Sequence, residues 1–151
     1  MASEFKKVSL KKGDVIMREG DMEMLMYDII IGSVGVYVNY GMDDEKLLLT
    51  LSDGEYFGEM ELINVRARVA TVVAMENTEC MVIDRELFGE YIRNYPEKCL
   101  AIMQSLSDKL RHTNQAYREM VRIAREAAAD DTDDEKKSSW LTRLLGIVDA
   151  D

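Results

Sequence analysis

The chain has 151 residues, enough for one domain with its own core, and 47% are hydrophobic, which excludes an intrinsically disordered protein. Acidic residues outnumber basic ones 29 to 19, and the net charge of −10 argues against a broad nucleic-acid face or an anionic membrane surface as partner. Two cysteines outside any CxxC pair and a single histidine argue against a zinc site and predict a protein without bound metal.

The N-terminus carries no apolar segment of the signal-peptide type. The longest apolar run, from about Tyr27 to Tyr40, is interrupted by polar residues and glycines and is too short to span a bilayer. We therefore expect a cytoplasmic protein without a membrane anchor, in which both cysteines are reduced.

Residues 1–95 are predicted to form a β-domain. Turn sequences such as Lys12-Gly13-Asp14 and Asp53-Gly54-Glu55 recur at roughly 8–12-residue intervals, as in small all-β barrels and sandwiches. Between the turns, Val34, Val36 and Val38 alternate with other residues at a period of two, which indicates a strand. Asp84 is predicted to cap a short helix near the end of this domain.

Residues 96–129 are predicted to form one long helix that begins at Pro96. Apolar residues recur there with alternating spacings of three and four, which is typical of a coiled-coil seam. We expect a homodimer through this seam, formed by Met103, Leu106, Leu110, Tyr117 and Met120. An amphipathic helix lying across the β-domain is the alternative.

Residues 130–151 are predicted to contain an acidic linker followed by a short helix with an apolar face. The short helix either docks on the domain or serves as a docking peptide for a protein partner.

The segment 53–74 carries the chemistry. Gly58 allows a sharp turn, and the free N–H groups at the start of a short helix from Glu59 attract an anion. Arg66 and Arg68 follow closely enough to reach the same anion, while the carboxylate of Glu59 suits a vicinal diol. On the residues alone, a surface salt bridge is the alternative role for such an arginine.

The order of residues in this segment resembles the phosphate-binding cassette of the cyclic-nucleotide-binding family, which includes the catabolite activator protein and the regulatory subunits of protein kinase A. Phe57-Gly58-Glu59-Met60-Glu61-Leu62 and Arg68-Val69-Ala70-Thr71-Val72 match the family pattern without a gap. Upstream, residues 12–21 and 27–36 resemble the first hairpin and the next strand pair of the family. The resemblance extends from about Val8 to Met120.

The resemblance implies a mainly β fold with helices: a double-stranded β-helix (jelly-roll, cupin-like) forming a β-barrel with its phosphate-binding cassette, followed by a long C-terminal helix. It implies that cAMP or cGMP binds without any other cofactor, the ribose 2′-hydroxyl on Glu59 and the cyclic phosphate on Arg68. The full set of expected ligand-binding residues is Gly58, Glu59, Met60, Glu61, Arg66, Arg68, Val69, Thr113, Asn114 and Tyr117. The last three are candidates for contacting the base.

Two positions depart from the family pattern. Glu61 stands where a small residue is usual, and its charge would repel a ligand phosphate unless Arg66 neutralises it. Ala67 replaces a common proline. The sequence therefore predicts a cyclic-nucleotide sensor that signals to a partner, with a ligand-free dimeric interaction module as the alternative.

An enzyme is not expected, because no metal cluster or nucleophilic triad is recognisable. Bacterial regulators of this family carry a helix-turn-helix domain after the long helix, for which about 60–80 further residues are needed. If the chain is full length, we expect no direct DNA binding by that route.

Overall fold

The computed structural model describes residues 5–129 and residue 143. The elements of the described chain, in order, are β1 (Lys6–Leu10), β2 (Val15–Met17), β3 (Leu25–Ile31), β4 (Ser33–Val38), β5 (Lys46–Ser52), β6 (Tyr56–Phe57), α1 (Glu59–Ile63), β7 (Thr71–Ala74), β8 (Thr78–Asp84), α2 (Phe88–Asn94) and α3 (Pro96–Ala129). The linker and terminal helix predicted for 130–151 lie outside the described residues, apart from Arg143.

The strands form two four-stranded antiparallel sheets, with the orders β1-β8-β3-β6 and β2-β7-β4-β5. Strands adjacent in space are distant in sequence: Ile29 of β3 lies opposite Cys80 of β8, and Val36 of β4 lies opposite Val72 of β7. This topology confirms the predicted jelly-roll with a long C-terminal helix. The barrel is not a closed one, however, since each sheet keeps two open edges.

The core contains side chains from both sheets. Alternation along each strand turns one set of apolar residues inward, and their burial stabilises the fold by roughly 1.5–3 kcal/mol for each large side chain. The buried cluster consists of Met17, Tyr27, Ile29, Val34, Phe57, Val72 and Cys80.

The short helix α2 is attached to the first sheet by a buried tyrosine. Its Tyr91 is fully buried, and the hydroxyl donates a 2.8 Å hydrogen bond to Oδ2 of Asp28 in β3. The ring of Phe5 meets the ring of Tyr91 edge-on, with 6.0 Å between centroids. Asp84 acts one turn earlier than expected, because Oδ1 accepts from the N–H of Leu87, the residue before the helix.

The chain divides into two compact units, Met1–Glu97 and Lys98–Asp151, so the boundary lies at the start of α3. Along α3, the seam residues Met103, Leu110 and Tyr117 are each more than 60% exposed. Seam residues with such exposure are available to a partner helix. Within the described ranges, no helix combines the length and hydrophobicity needed to cross a membrane.

Candidate functional site

The cassette occupies the connection between β6 and β7. Its arginine is fixed at the backbone by the turn that follows β2. The N–H of Arg68 donates to the carbonyl of Asp21 at 2.9 Å, and the N–H of Gly20 donates to the carbonyl of Arg68 at 2.8 Å. These two hydrogen bonds hold Arg68 in an extended, strand-like pairing and direct its side chain inward.

The guanidinium of Arg68 lies inside the domain, where the residue is only 2% exposed. Nη1 donates to Oε2 of Glu61 at 3.0 Å and to the carbonyl of Gly58 at 3.2 Å, and Nη2 donates to the carbonyl of Leu25. Nε is buried without a hydrogen-bond partner among the described residues. A buried guanidinium N–H without an acceptor is a position at which an oxygen of a ligand is favoured.

Gly58 allows the chain to pass closely over this guanidinium. Its φ is 84°, a left-handed conformation that side chains rarely adopt. A Cβ at this position would lie 2.6 Å from the carbonyl oxygen of Leu25 and 2.9 Å from Nη1 of Arg68. Glycine is therefore required both by the backbone angle and by the space.

Three charged residues of the cassette are buried: Glu59 is 4% exposed, Glu61 is 5% exposed and Arg68 is 2% exposed. Two carboxylates and one guanidinium give these three a formal charge of −1. Arg66, which the sequence analysis offered as the partner of Glu61, is exposed, and Glu61 is paired with Arg68 instead. The expected neutralisation of Glu61 by Arg66 is thus replaced by a buried pair within the cassette.

Two buried aromatic side chains stack on each other in the strands next to the cassette. The rings of Tyr27 and Phe57 stack with 5.1 Å between centroids and an interplanar angle of 11°. Burial raises the pKa of the Tyr27 hydroxyl, Glu23 raises it further, and Arg68 opposes the shift. The phenol therefore stays protonated at neutral pH and keeps its capacity to donate a hydrogen bond.

The other predicted ligand contacts are exposed. Met60, between Glu59 and Glu61, is 42% exposed, and Val69, next to Arg68, is 63% exposed. Thr113, Asn114 and Tyr117 lie on α3 in the second unit and are exposed, so their contact with a base stays a prediction.

Sequence analysis missed two contributors to the site, the carbonyl of Leu25 and the ring of Tyr27. The first is a backbone group and leaves no trace in residue type. The second could have been found, because an aromatic residue that lies opposite Phe57 in a paired strand is a candidate for stacking. Among the described residues, no group of three or more His, Cys, Asp or Glu side chains could hold a metal ion.

The chain is similar in sequence to proteins that are named for cyclic nucleotides, and in structure to a catabolite activator protein. Human cGMP-dependent protein kinase 2 is 41% identical over 88 residues, which are 57% of this chain and 12% of the kinase. Cyclic AMP receptor protein of Thermus thermophilus is 30% identical over 112 residues, 74% of this chain and 52% of that protein. The crystal structure of Thermus thermophilus catabolite activator protein has the same fold, with a TM-score of 0.69 at 24% identity, covering 94% of this chain and 79% of that one.

The chain thus spans about an eighth of the human kinase and about half of the bacterial receptor. The family profile described as cyclic nucleotide-binding domain matches residues 7–95, which include both sheets, the cassette and α2. The chain belongs to the cyclic nucleotide-binding domain family.

Proposed function

We propose that this chain is a non-enzymatic regulatory module that binds cAMP or cGMP at the cassette and reports binding through α3. The observation that supports this most directly is the buried guanidinium of Arg68, whose Nε has no acceptor among the described residues. Two relatives, a cGMP-dependent protein kinase and a cyclic AMP receptor protein, are named for such ligands.

The proposed ligand contacts follow from charge and hydrogen bonding. The carboxylate of Glu59 accepts from the ribose 2′-hydroxyl, and the guanidinium of Arg68 donates to the cyclic phosphate. Burial strengthens both interactions, because an ionic hydrogen bond is worth more where water is excluded. Because the backbone at Gly58 passes close to the guanidinium of Arg68, the start of α1 also lies near this guanidinium.

The proposed output is a cytoplasmic homodimer formed through α3. Met103, Leu110 and Tyr117 present an exposed seam, and two further seam residues, Leu106 and Met120, are partly exposed. A second copy of the chain would bury this seam as a coiled coil. A ligand shifts such a helix only by binding one of its positions more tightly than the other, and a protein partner would then recognise the preferred arrangement.

A ligand-free interaction module is the second candidate, and the ion pair between Glu61 and Arg68 favours it. The pair supplies an anion to the buried guanidinium from within the chain. In that case the fold would be retained for its dimer surface alone.

Thermal unfolding with cAMP, cGMP and 5′-AMP separates these two candidates. A ligand at a hundred times its Kd that binds only the folded state stabilises it by about 2.7 kcal/mol. We expect one cyclic nucleotide to raise Tm and 5′-AMP to raise it less, and we expect Arg68→Gln to remove the effect. Arg85→Gln, which removes an exposed arginine elsewhere in the same unit, is the control and should respond like the parent. No change with any nucleotide at millimolar concentration contradicts the sensor.

A further inference from the structure

The charges of the cassette are out of balance for an anionic ligand. Among the described residues, the only buried cationic side chain is Arg68, whereas Glu59 and Glu61 are both buried beside the same turn. A cyclic nucleotide carries one negative charge on its phosphate. Its binding would take the formal charge of this group from −1 to −2, whereas an uncharged nucleoside would leave it at −1.

The hydrogen bonds of Arg68 also disfavour an anionic ligand. A phosphate is bound most strongly when two guanidinium N–H groups donate to two of its oxygens. Here Nη1 is shared by Glu61 Oε2 and the Gly58 carbonyl, and Nη2 donates to the Leu25 carbonyl. Nε is without an acceptor among the described residues. Of the three acceptors, the Glu61 carboxylate is the one that carries a charge and that a side-chain rotation can remove. A phosphate bound to Arg68 therefore either displaces this carboxylate or lies beside it, and both cost free energy that an uncharged ligand does not incur.

We propose that Glu61 is a specificity-determining residue, an internal anion that occupies Arg68 and shifts the preference of the site from cyclic nucleotides toward uncharged nucleosides. This inference rests on the proposed function, since it concerns the same cassette. Glu59 binds a ribose diol in either ligand, but only the phosphate has to compete with Glu61 for the guanidinium. Removing the charge of Glu61 therefore strengthens the binding of cyclic nucleotides and leaves nucleosides nearly unchanged.

Calorimetric titration with cAMP, cGMP, adenosine and guanosine tests this selectivity. We compare the parent with Glu61→Gln, whose amide oxygen still accepts from Arg68, and with Glu61→Ala. In both variants the Kd of the nucleoside divided by that of the matching cyclic nucleotide should rise by on the order of tenfold to a hundredfold. Glu86→Gln, which neutralises an exposed carboxylate, is the control and should keep the parent ratio. An unchanged ratio in Glu61→Gln overturns the inference.

Inorganic phosphate gives a readout that needs no nucleoside. At constant ionic strength, we expect phosphate to raise the Tm of Glu61→Gln in a saturable way and to leave the parent with only the non-specific effect shared by Glu86→Gln. Equal shifts in all three proteins overturn the inference, whatever the nucleotides do. A specific shift in Glu61→Gln combined with no binding of any cyclic nucleotide to any variant contradicts the proposed function and leaves the role of Glu61 as internal anion supported.

Discussion

The hydroxyl of Tyr91 donates a 2.8 Å hydrogen bond to the carboxylate of Asp28, joining residues that are 63 positions apart in the chain. Both side chains are buried, and burial is the main cause that raises the pKa of the Tyr91 hydroxyl, reinforced by its hydrogen bond to Asp28. The bond thus connects α2 to the middle of β3 with a phenol that stays protonated.

Tyr91→Phe is expected to lower the free energy of unfolding by about 1–3 kcal/mol. The substitution keeps the ring contacts with Phe5 and Tyr95 but removes a donor from a buried carboxylate. Urea unfolding measures the change, with Tyr40→Phe, a partly exposed tyrosine in the turn after β4, as the control. Stability equal to that of the parent would show that Asp28 obtains no net stabilisation from this hydroxyl.

Gly58→Ala is expected to destabilise the domain by about 1–3 kcal/mol and to weaken ligand binding. The new Cβ would be 2.6 Å from the Leu25 carbonyl oxygen and 2.9 Å from Nη1 of Arg68, so the turn at position 58 must move away from both. Gly54→Ala is a matched control, since its φ of 81° is nearly the same but nothing lies within 4 Å of the added carbon. Equal losses in urea unfolding would mean that backbone angle alone matters at position 58.

Alkaline pH is expected to destabilise the fold through Cys80. Burial is the main cause that raises the pKa of this thiol from 9.0 to about 11, with contributions from Asp28 and Glu79. The folded state holds the proton more tightly, so its contribution is complete below pH 9 and is lost between pH 9 and 11. The loss should reach about 1 kcal/mol by pH 10.

Urea unfolding between pH 8 and 10 checks this loss. Cys80→Ala should show a smaller decrease over that interval, whereas Cys99→Ala, which removes a partly exposed thiol, should behave like the parent. A decrease of the same size in Cys80→Ala would assign the alkaline effect to other groups.

Leu110→Asp is expected to dissociate the proposed dimer. The residue is 62% exposed in the middle of the α3 seam, where a carboxylate would face its copy in a parallel coiled coil. Sedimentation velocity should give a monomer for this variant and a dimer for the parent. Gln115→Asp adds the same charge on the opposite face of the helix and should remain dimeric. Dissociation of both variants would show that the effect is not specific to the seam.

Much of the fold could be predicted from the sequence because its signals are local. Turn glycines mark the ends of strands, and the alternation of valines predicted β4, although burial along this strand does not alternate, since Val34 and Gly35 are both buried. Pro96 marked the start of α3 because proline fits a first helical turn. Whether edge strands meet is decided by long-range twist, so the closed barrel could not be distinguished from two open sheets.

The composition of the site could be predicted better than its internal pairing. The order of Gly58, Glu59 and Arg68 places a carboxylate and an arginine at one turn, and the structure buries both. Sequence alone could not decide whether Arg66 or Arg68 pairs with Glu61. The two arginines are two residues apart in a loop, where no periodicity fixes the direction of a side chain. The backbone hydrogen bonds of Arg68 with Asp21 and Gly20 fix its direction in the structure.

Strand β3 supplies the acceptors for two of the polar contacts described above. The Leu25 carbonyl accepts from Arg68, and three residues later Asp28 accepts from Tyr91. The strand is hydrogen-bonded to β8 on one side and to β6 on the other, and the backbone rises by about 10 Å between these two residues. We therefore expect any movement that accompanies binding of the proposed ligand to occur in the cassette or in the polypeptide that follows α2, while β3 keeps its position.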